Sequence, residues 1–145
     1  KASQKTSAEY IVRICADNPL ICASEIDRLV EFYNNEVCDY AYNHIHKDNH
    51  YPDGLGAEIC AIKLLEEINK KATKTEQREH LFNYILDNET SYSIRTFNPP
   101  EEIAYPELKL DVDDINNYKK LLEKQYRIDM SAQQIVNLAL SNGVI

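Results

Sequence analysis

One stretch of the sequence decides the fold: Tyr10-Ile11-Val12-Arg13-Ile14-Cys15-Ala16, followed at once by Asp17-Asn18-Pro19. The β-branched apolar run predicts a buried strand of a parallel sheet, and the Asp-Asn-Pro triplet predicts the turn that ends it. Ser24 then predicts a helix N-cap, and apolar residues at helical spacing continue from Ile26 to about Asn34. A strand, a turn and a helix in this order begin a βα unit, which indicates an α/β sandwich.

The rest of the chain alternates in the same way. Periodicity predicts strands at residues 37–42, 57–61, 92–97 and 108–112, and helices at 62–71, 75–86 and 114–126. Ser131 predicts the cap of a last helix. The sequence has no internal repeat and no low-complexity linker, so we expect residues 1–145 to form one domain.

Composition excludes several classes of protein. Of the 145 residues, 43% are hydrophobic and 28% are charged, as in a globular domain, and the net charge of −8 argues against a nucleic-acid partner. No apolar run approaches the roughly 20 residues that a membrane span needs. The four cysteines, at 15, 22, 38 and 60, lack zinc-finger spacing and predict a reducing cytoplasm. Cys15 and Cys60 are predicted to be small core residues.

Carboxylates follow two of the predicted strands. Asp17 ends the first strand, where ligands of open α/β sheets bind, and Asp111, Asp113 and Asp114 follow residues 108–110. Two aspartates from two strand ends suit Mg²⁺. The alternatives are that Asp17 caps a turn and that Asp113 and Asp114 only begin a helix. Spacing does not choose between Asp111 and Asp113.

The histidines give a weaker signal. His44, His46 and His50 have no fourth ligand at a fixed spacing, so they predict a flexible polar loop and not a metal site. His80 follows Arg78 and Glu79 on a predicted helix. These three side chains either hold a polar substrate or form a solvated face.

Five ordered segments resemble the spore-coat polysaccharide type of cytidylyltransferase, a relative of the acylneuraminate and Kdo cytidylyltransferases. The match runs from about residue 8 to the end of the chain. The segments are Val12–Ile21, Asp39–Asn43, Tyr51–Glu58, Arg78–His80 with Tyr84-Ile85, and Leu108–Asp113 with the helix that follows it.

The resemblance implies a Rossmann-like nucleotide-diphospho-sugar transferase sandwich, with a mixed, mostly parallel sheet and flanking helices. It implies transfer of CMP from CTP to a sugar or sugar acid in polysaccharide biosynthesis, with Asp17 and Asp113 as the catalytic ligands of Mg²⁺. It also implies a homodimer formed around residues 35–60, with neither nucleic acid nor membrane as a partner. The implied substrate-binding residues are Arg13, Asn43, Tyr51, Asp53, Gly54, Glu58, Arg78, Glu79 and His80.

The departures from the family pattern matter as well. The Gly-rich, basic nucleotide-binding loop of the family's first half has no counterpart, so we expect a C-terminal part whose nucleotide-binding half is missing and which has poor activity alone. Gly56 replaces a frequent aspartate, and the residues after Asp113 lack the usual Thr-Pro-Glu-Asp. The alternative is a non-catalytic sugar-binding or interaction module of the same fold.

Overall fold

The computed structural model describes residues 7–80 and 82–141, except the side chain of Glu79, and contains a four-stranded mixed sheet. The strands are β1 (Tyr10–Arg13), β2 (Tyr40–Tyr42), β3 (Glu58–Ala61) and β4 (Ile94–Arg95). Their order is β1-β3-β2-β4, with β3 antiparallel to both of its neighbours and β2 parallel to β4. Three of the four strands therefore run in one direction, against β3.

Helices cover both faces of this sheet. The α-helices of the described chain are α1 (Ala23–Asn35), α2 (Ile62–Lys71), α3 (Thr75–Glu79), α4 (Asn83–Asp87), α5 (Ile115–Leu122) and α6 (Ala132–Leu140), of which α1, α2 and α4 pack on the sheet. Because side chains alternate along a strand, Ala41 and Ile59 pack with Leu29 of α1 on one face. Tyr40 and Cys60, with other residues of the second face, pack against α2 and α4. The α/β sandwich predicted from the sequence is confirmed.

A separate apolar cluster lies around α6. Ile135 and Val136 of that helix pack with Tyr51, Leu55 and Leu110, all of them buried. This cluster joins the loop before β3 to the segment before α5, and so it fixes the position of Asp111 and Asp113 relative to the sheet.

The first strand differs from its prediction. It is half-buried and lies at an edge of the described sheet, where it pairs only with β3, and antiparallel. β3 has four residues, so the ladder ends at the Arg13–Glu58 pair and residues 14–16 leave the sheet. The expectation of a buried parallel strand over residues 10–16 is therefore wrong.

Other element bounds were predicted with mixed success. The helix at 62–71 is confirmed, whereas the one predicted at 75–86 is divided into α3 and α4, with His80 extended between them. The predicted strand at 108–112 forms only an isolated bridge, between Lys109 and Asp53. α1 begins one residue before Ser24, which lies inside its first turn.

None of the helices in the described part of the chain is long and apolar enough to cross a membrane.

Candidate active site

A cleft of about 460 Å³ opens beyond the end of β1. Its walls come from the turn after β1, from β2 and the loop that follows it, from β3, and from the break between α3 and α4. Four of the predicted site residues line this cleft: Arg13, Asp17, Glu58 and His80. They are far apart in sequence, and the order of strands in the sheet brings them together.

Glu58 is the centre of a polar network on the floor of the cleft. Its carboxylate is buried and forms an ion pair with the Arg13 guanidinium. The Tyr40 hydroxyl donates to Glu58 Oε2 at 2.5 Å. Both donors hold the carboxylate in one orientation. Burial and then the Glu58 charge raise the pKa of Tyr40, so this hydroxyl remains a donor.

A backbone hydrogen bond joins the two predicted metal-binding segments. The Val112 N–H donates to the Asp17 carbonyl oxygen at 2.8 Å. Because Asp113 is the next residue after Val112, this hydrogen bond holds the backbone at Asp113 close to the backbone at Asp17. Both aspartates are exposed.

Asp111 and Asp113 lie in different surroundings. Asp113 is exposed and pairs with Lys109 at 3.1 Å. Asp111 is half-buried, and its Oδ1 is buried without a hydrogen-bond partner in the described structure. Burial, and then the charge of Asp113, raise the pKa of Asp111. One carboxylate oxygen of this segment is therefore buried without a donor in the described part of the chain.

A second, more apolar groove of about 670 Å³ borders the cleft at Asp17. Pro19 and Leu20 form one side of it, and Tyr118 and Leu122 of α5 form the other. Tyr118 and Leu122 are exposed. Asp17 thus lines both cavities.

Asn43 lies between two residues that line the cleft, Tyr42 and His44. Its side chain is fully buried, donates to the Glu25 carbonyl oxygen at 2.8 Å and accepts from the Ala57 N–H at 2.9 Å. A Cβ atom on Gly56 would lie 2.2 Å from Asn43 Oδ1. The close approach of the two residues explains why glycine stands at position 56 in this chain.

Tyr51, Asp53 and Gly54 lie in the buried loop before β3, outside the residues that line the cleft. The Tyr51 hydroxyl donates to the buried Glu25 carboxylate at 2.9 Å, and Asp53 accepts from His46 at 2.9 Å. Gly54 has a φ of 97°, and a Cβ there would lie 2.8 Å from the Asp111 nitrogen. In the structure the three residues hold the loop against the segment of Asp111, and substrate binding by them stays a prediction.

The Arg78-Glu79-His80 group is divided. His80 reaches the cleft, whereas the Arg78 guanidinium donates to the Ala72 carbonyl oxygen at 3.2 Å and is not among the lining residues. The side chain of Glu79 lies outside the described part of the structure.

Two lining residues were missed as site residues. Cys15 was predicted to belong to the core and His44 to a flexible loop, yet both side chains line the cleft. Alternation along the first strand places Cys15 on the side of Arg13, which is the signal that could have identified it. Burial raises the pKa of the Cys15 thiol and lowers the pKa of His44.

Comparison with known proteins gives two curated relatives. An uncharacterized protein of Methanocaldococcus jannaschii is 33% identical, over 99% of this chain and 58% of its own length. The spore coat polysaccharide biosynthesis protein SpsF of Bacillus subtilis is 25% identical, over 98% of this chain and 59% of its own length. The resemblance to the spore-coat polysaccharide type is confirmed. The chain spans a little under three fifths of the curated relatives that it matches.

The fold has a solved counterpart. A cytidylyltransferase from Leptospira borgpetersenii superposes with a TM-score of 0.81 at 21% identity, over 99% of this chain and 63% of that one. The chain therefore has the cytidylyltransferase fold, and the Rossmann-like sandwich expected from the resemblance is confirmed. No family model matches the chain.

Proposed function

We propose that this chain forms the metal- and acceptor-binding part of a cytidylyltransferase that transfers CMP from CTP to a sugar or sugar acid. One observation supports it most. One cleft, formed by the end of β1, by β3 and by the break before α4, contains Arg13, Asp17, Glu58 and His80. Asp113 is the next residue after Val112, whose N–H is hydrogen-bonded to Asp17. The likeness to a spore coat polysaccharide biosynthesis protein supports a role in surface polysaccharide synthesis.

The carboxylates fit Mg²⁺, which takes one or two carboxylates together with phosphate oxygens and waters. In this proposal Asp17 and Asp113 hold the ion. The buried Oδ1 of Asp111, which has no hydrogen-bond partner in the described structure and lies two residues before Asp113, supports a cation at this segment. When bound, Mg²⁺ neutralises the charge that develops on the phosphates.

The other cleft residues position the acceptor. His80 lies at the exposed wall, and the Arg13–Glu58 pair presents a donor and an acceptor group on the floor. Transfer forms a bond between an acceptor oxygen and the α-phosphorus of CTP and breaks the bond from that phosphorus to pyrophosphate. Positioning of the two reactants supplies much of the rate in such reactions. The four cysteines are free thiols, in keeping with the cytoplasmic location that we propose.

The test is CTP-dependent release of pyrophosphate by the native protein, with Mg²⁺ and a panel of sugar acids as acceptors. We expect Asp17→Asn and Asp113→Asn each to reduce kcat/KM by more than about 100-fold, since each would remove a metal ligand. Asp129→Asn is the matched control, because Asp129 is an exposed carboxylate paired with Arg127 and lies outside the cleft lining.

The outcomes separate the candidate functions. Acceptor binding without pyrophosphate release under any condition would favour a non-catalytic sugar-binding module. Full activity in Asp17→Asn would contradict the assignment of that residue to the metal.

A further inference from the structure

Three side chains of different chemistry meet on the floor of the cleft. One ligand atom each from Cys15, His44 and Glu58 lies within 4.8 Å of the other two. Cys15 and His44 are half-buried and Glu58 is buried. They come from the end of β1, the loop after β2, and β3.

This donor set differs from the one proposed for Mg²⁺. A thiolate, an imidazole and a carboxylate are the ligands that bind Zn²⁺, whereas Mg²⁺ takes oxygen ligands alone. Ligand atoms around a tetrahedral zinc ion stand roughly 3.3–3.8 Å apart, as follows from its bond lengths. Side chains with atoms within 4.8 Å of one another reach that arrangement through small rotations about their own bonds.

His44 provides an independent observation. Its Nδ1 is buried and has no hydrogen-bond partner in the described structure. A buried polar atom without a partner costs free energy. A bound cation would remove that cost, because one ring nitrogen would bind the cation and the other would act as a hydrogen-bond donor.

Glu58 is already oriented as a ligand of such an ion would be. Arg13 and the Tyr40 hydroxyl each occupy one of its oxygens, and each carboxylate oxygen retains a further lone pair. Hydrogen bonds of this kind fix the orientation of side chains that bind metal ions. The positive charge of Arg13 opposes a cation, and Asp17, which lines the same cleft, offsets it.

We propose that Cys15, His44 and Glu58 form a site for a single Zn²⁺-class cation, separate from the proposed Mg²⁺ site. Three protein ligands leave a fourth coordination position, and since all three side chains line the cleft, that position faces the cavity. A substrate oxygen or a water molecule can occupy it. The site would thus place a second Lewis acid beside Asp17.

The test uses the native protein, kept reduced and freed of metal, and Co²⁺ as a spectroscopic substitute for Zn²⁺. We expect one equivalent of Co²⁺ to produce a thiolate-to-cobalt charge-transfer band in the near ultraviolet. Cys15→Ser should remove the band, and His44→Ala should weaken binding by more than about 100-fold. Tyr40→Phe, which leaves the ligands in place, should weaken it by about 10- to 100-fold.

Two controls make the result specific. Cys38→Ser removes another half-buried thiol, one that packs beside α1, and should keep the band. Without metal, Cys15→Ser should have the same Tm as the parent protein, and this result would exclude misfolding of the variant. Zn²⁺ should raise the Tm of the parent protein but not that of Cys15→Ser.

The opposite results overturn the inference. The inference is wrong if the parent protein shows no band, if the band survives Cys15→Ser, or if Co²⁺ binds only at millimolar concentration. Asp113→Asn separates this inference from the proposed function, because Asp113 lies outside the cleft lining: the variant should reduce CMP transfer by more than about 100-fold and leave the cobalt band unchanged.

Discussion

At the scale of single residues, Asn43 shows how a polar side chain becomes structural. Its amide group bridges the Glu25 carbonyl oxygen and the Ala57 N–H, which lie 18 residues before it and 14 after it. The resemblance to the cytidylyltransferases pointed to this residue. No local pattern indicated its contacts, because both partners are distant in sequence. Asp17 was different. The end of an apolar run and the following turn were enough to predict a position beyond the first strand, although that strand ends four residues earlier, at Arg13.

Asn43→Ala should lower the free energy of unfolding by about 2–5 kcal/mol, since it leaves a buried N–H and a buried carbonyl unsatisfied. Chemical denaturation measures the loss. Asn34→Ala, an exposed residue of α1, is the matched control and should change stability little. Equal stability of the two variants would contradict the role given to the bridge.

Asp111→Asn should raise the Tm of the metal-free protein at pH 7. The pKa of Asp111 is raised in the folded state, so the folded protein binds the proton more tightly, and ionisation of Asp111 costs stability as the pH rises through that range. The gain should therefore vanish as the pH falls below the ordinary pKa of an aspartate. Melting curves from about pH 3, below that value, to about pH 8, well above it, test this. A gain that persists at the acidic end would show that charge is not the cause.

At the scale of elements, local signals predicted helix starts better than helix interruptions. The Ser131 side chain accepts from the Gln134 N–H at 3.3 Å and caps α6 as predicted. The break between α3 and α4 was missed, because it depends on Phe82, which packs on Tyr40 with 4.7 Å between ring centroids. Such a contact across 42 positions leaves no periodic trace in the sequence.

Ser131→Ala should destabilise the protein by about 1 kcal/mol, through loss of the cap of α6. Since α6 supplies Ile135 and Val136 to the cluster that positions Asp111, the effect should appear in the global unfolding transition. Ser131→Asp keeps an acceptor at the cap and should retain stability. If Ser131→Ala and Ser131→Asp unfold alike, the cap does not contribute.

At the scale of the whole molecule, only part of residues 35–60, the predicted dimer interface, is exposed. Residues 51–60 are all buried within the chain itself. The exposed part of the range includes Val37, whose side chain is 95% exposed. A homodimer through this range, which stays a prediction, must use the exposed positions before β2 and in the loop that follows it.

Val37→Asp should therefore shift the protein from dimer to monomer in sedimentation velocity measurements, because a charge replaces an apolar contact. Ile128→Asp is the matched control, since Ile128 is equally exposed but lies outside the range. Dissociation by Ile128→Asp alone would move the interface to the segment before α6.

The hydrogen bond from the Val112 N–H to the Asp17 carbonyl oxygen has a consequence for redesign. It joins main chain to main chain, so every non-proline residue at position 112 can make it, and any residue at 17 can accept it. Exchanging the side chains at 15 or 16, which line the cleft, leaves this link in place. An engineer who wishes to alter the chemistry of the cleft can therefore vary these two positions while the backbone keeps the spacing between the two aspartate-bearing segments.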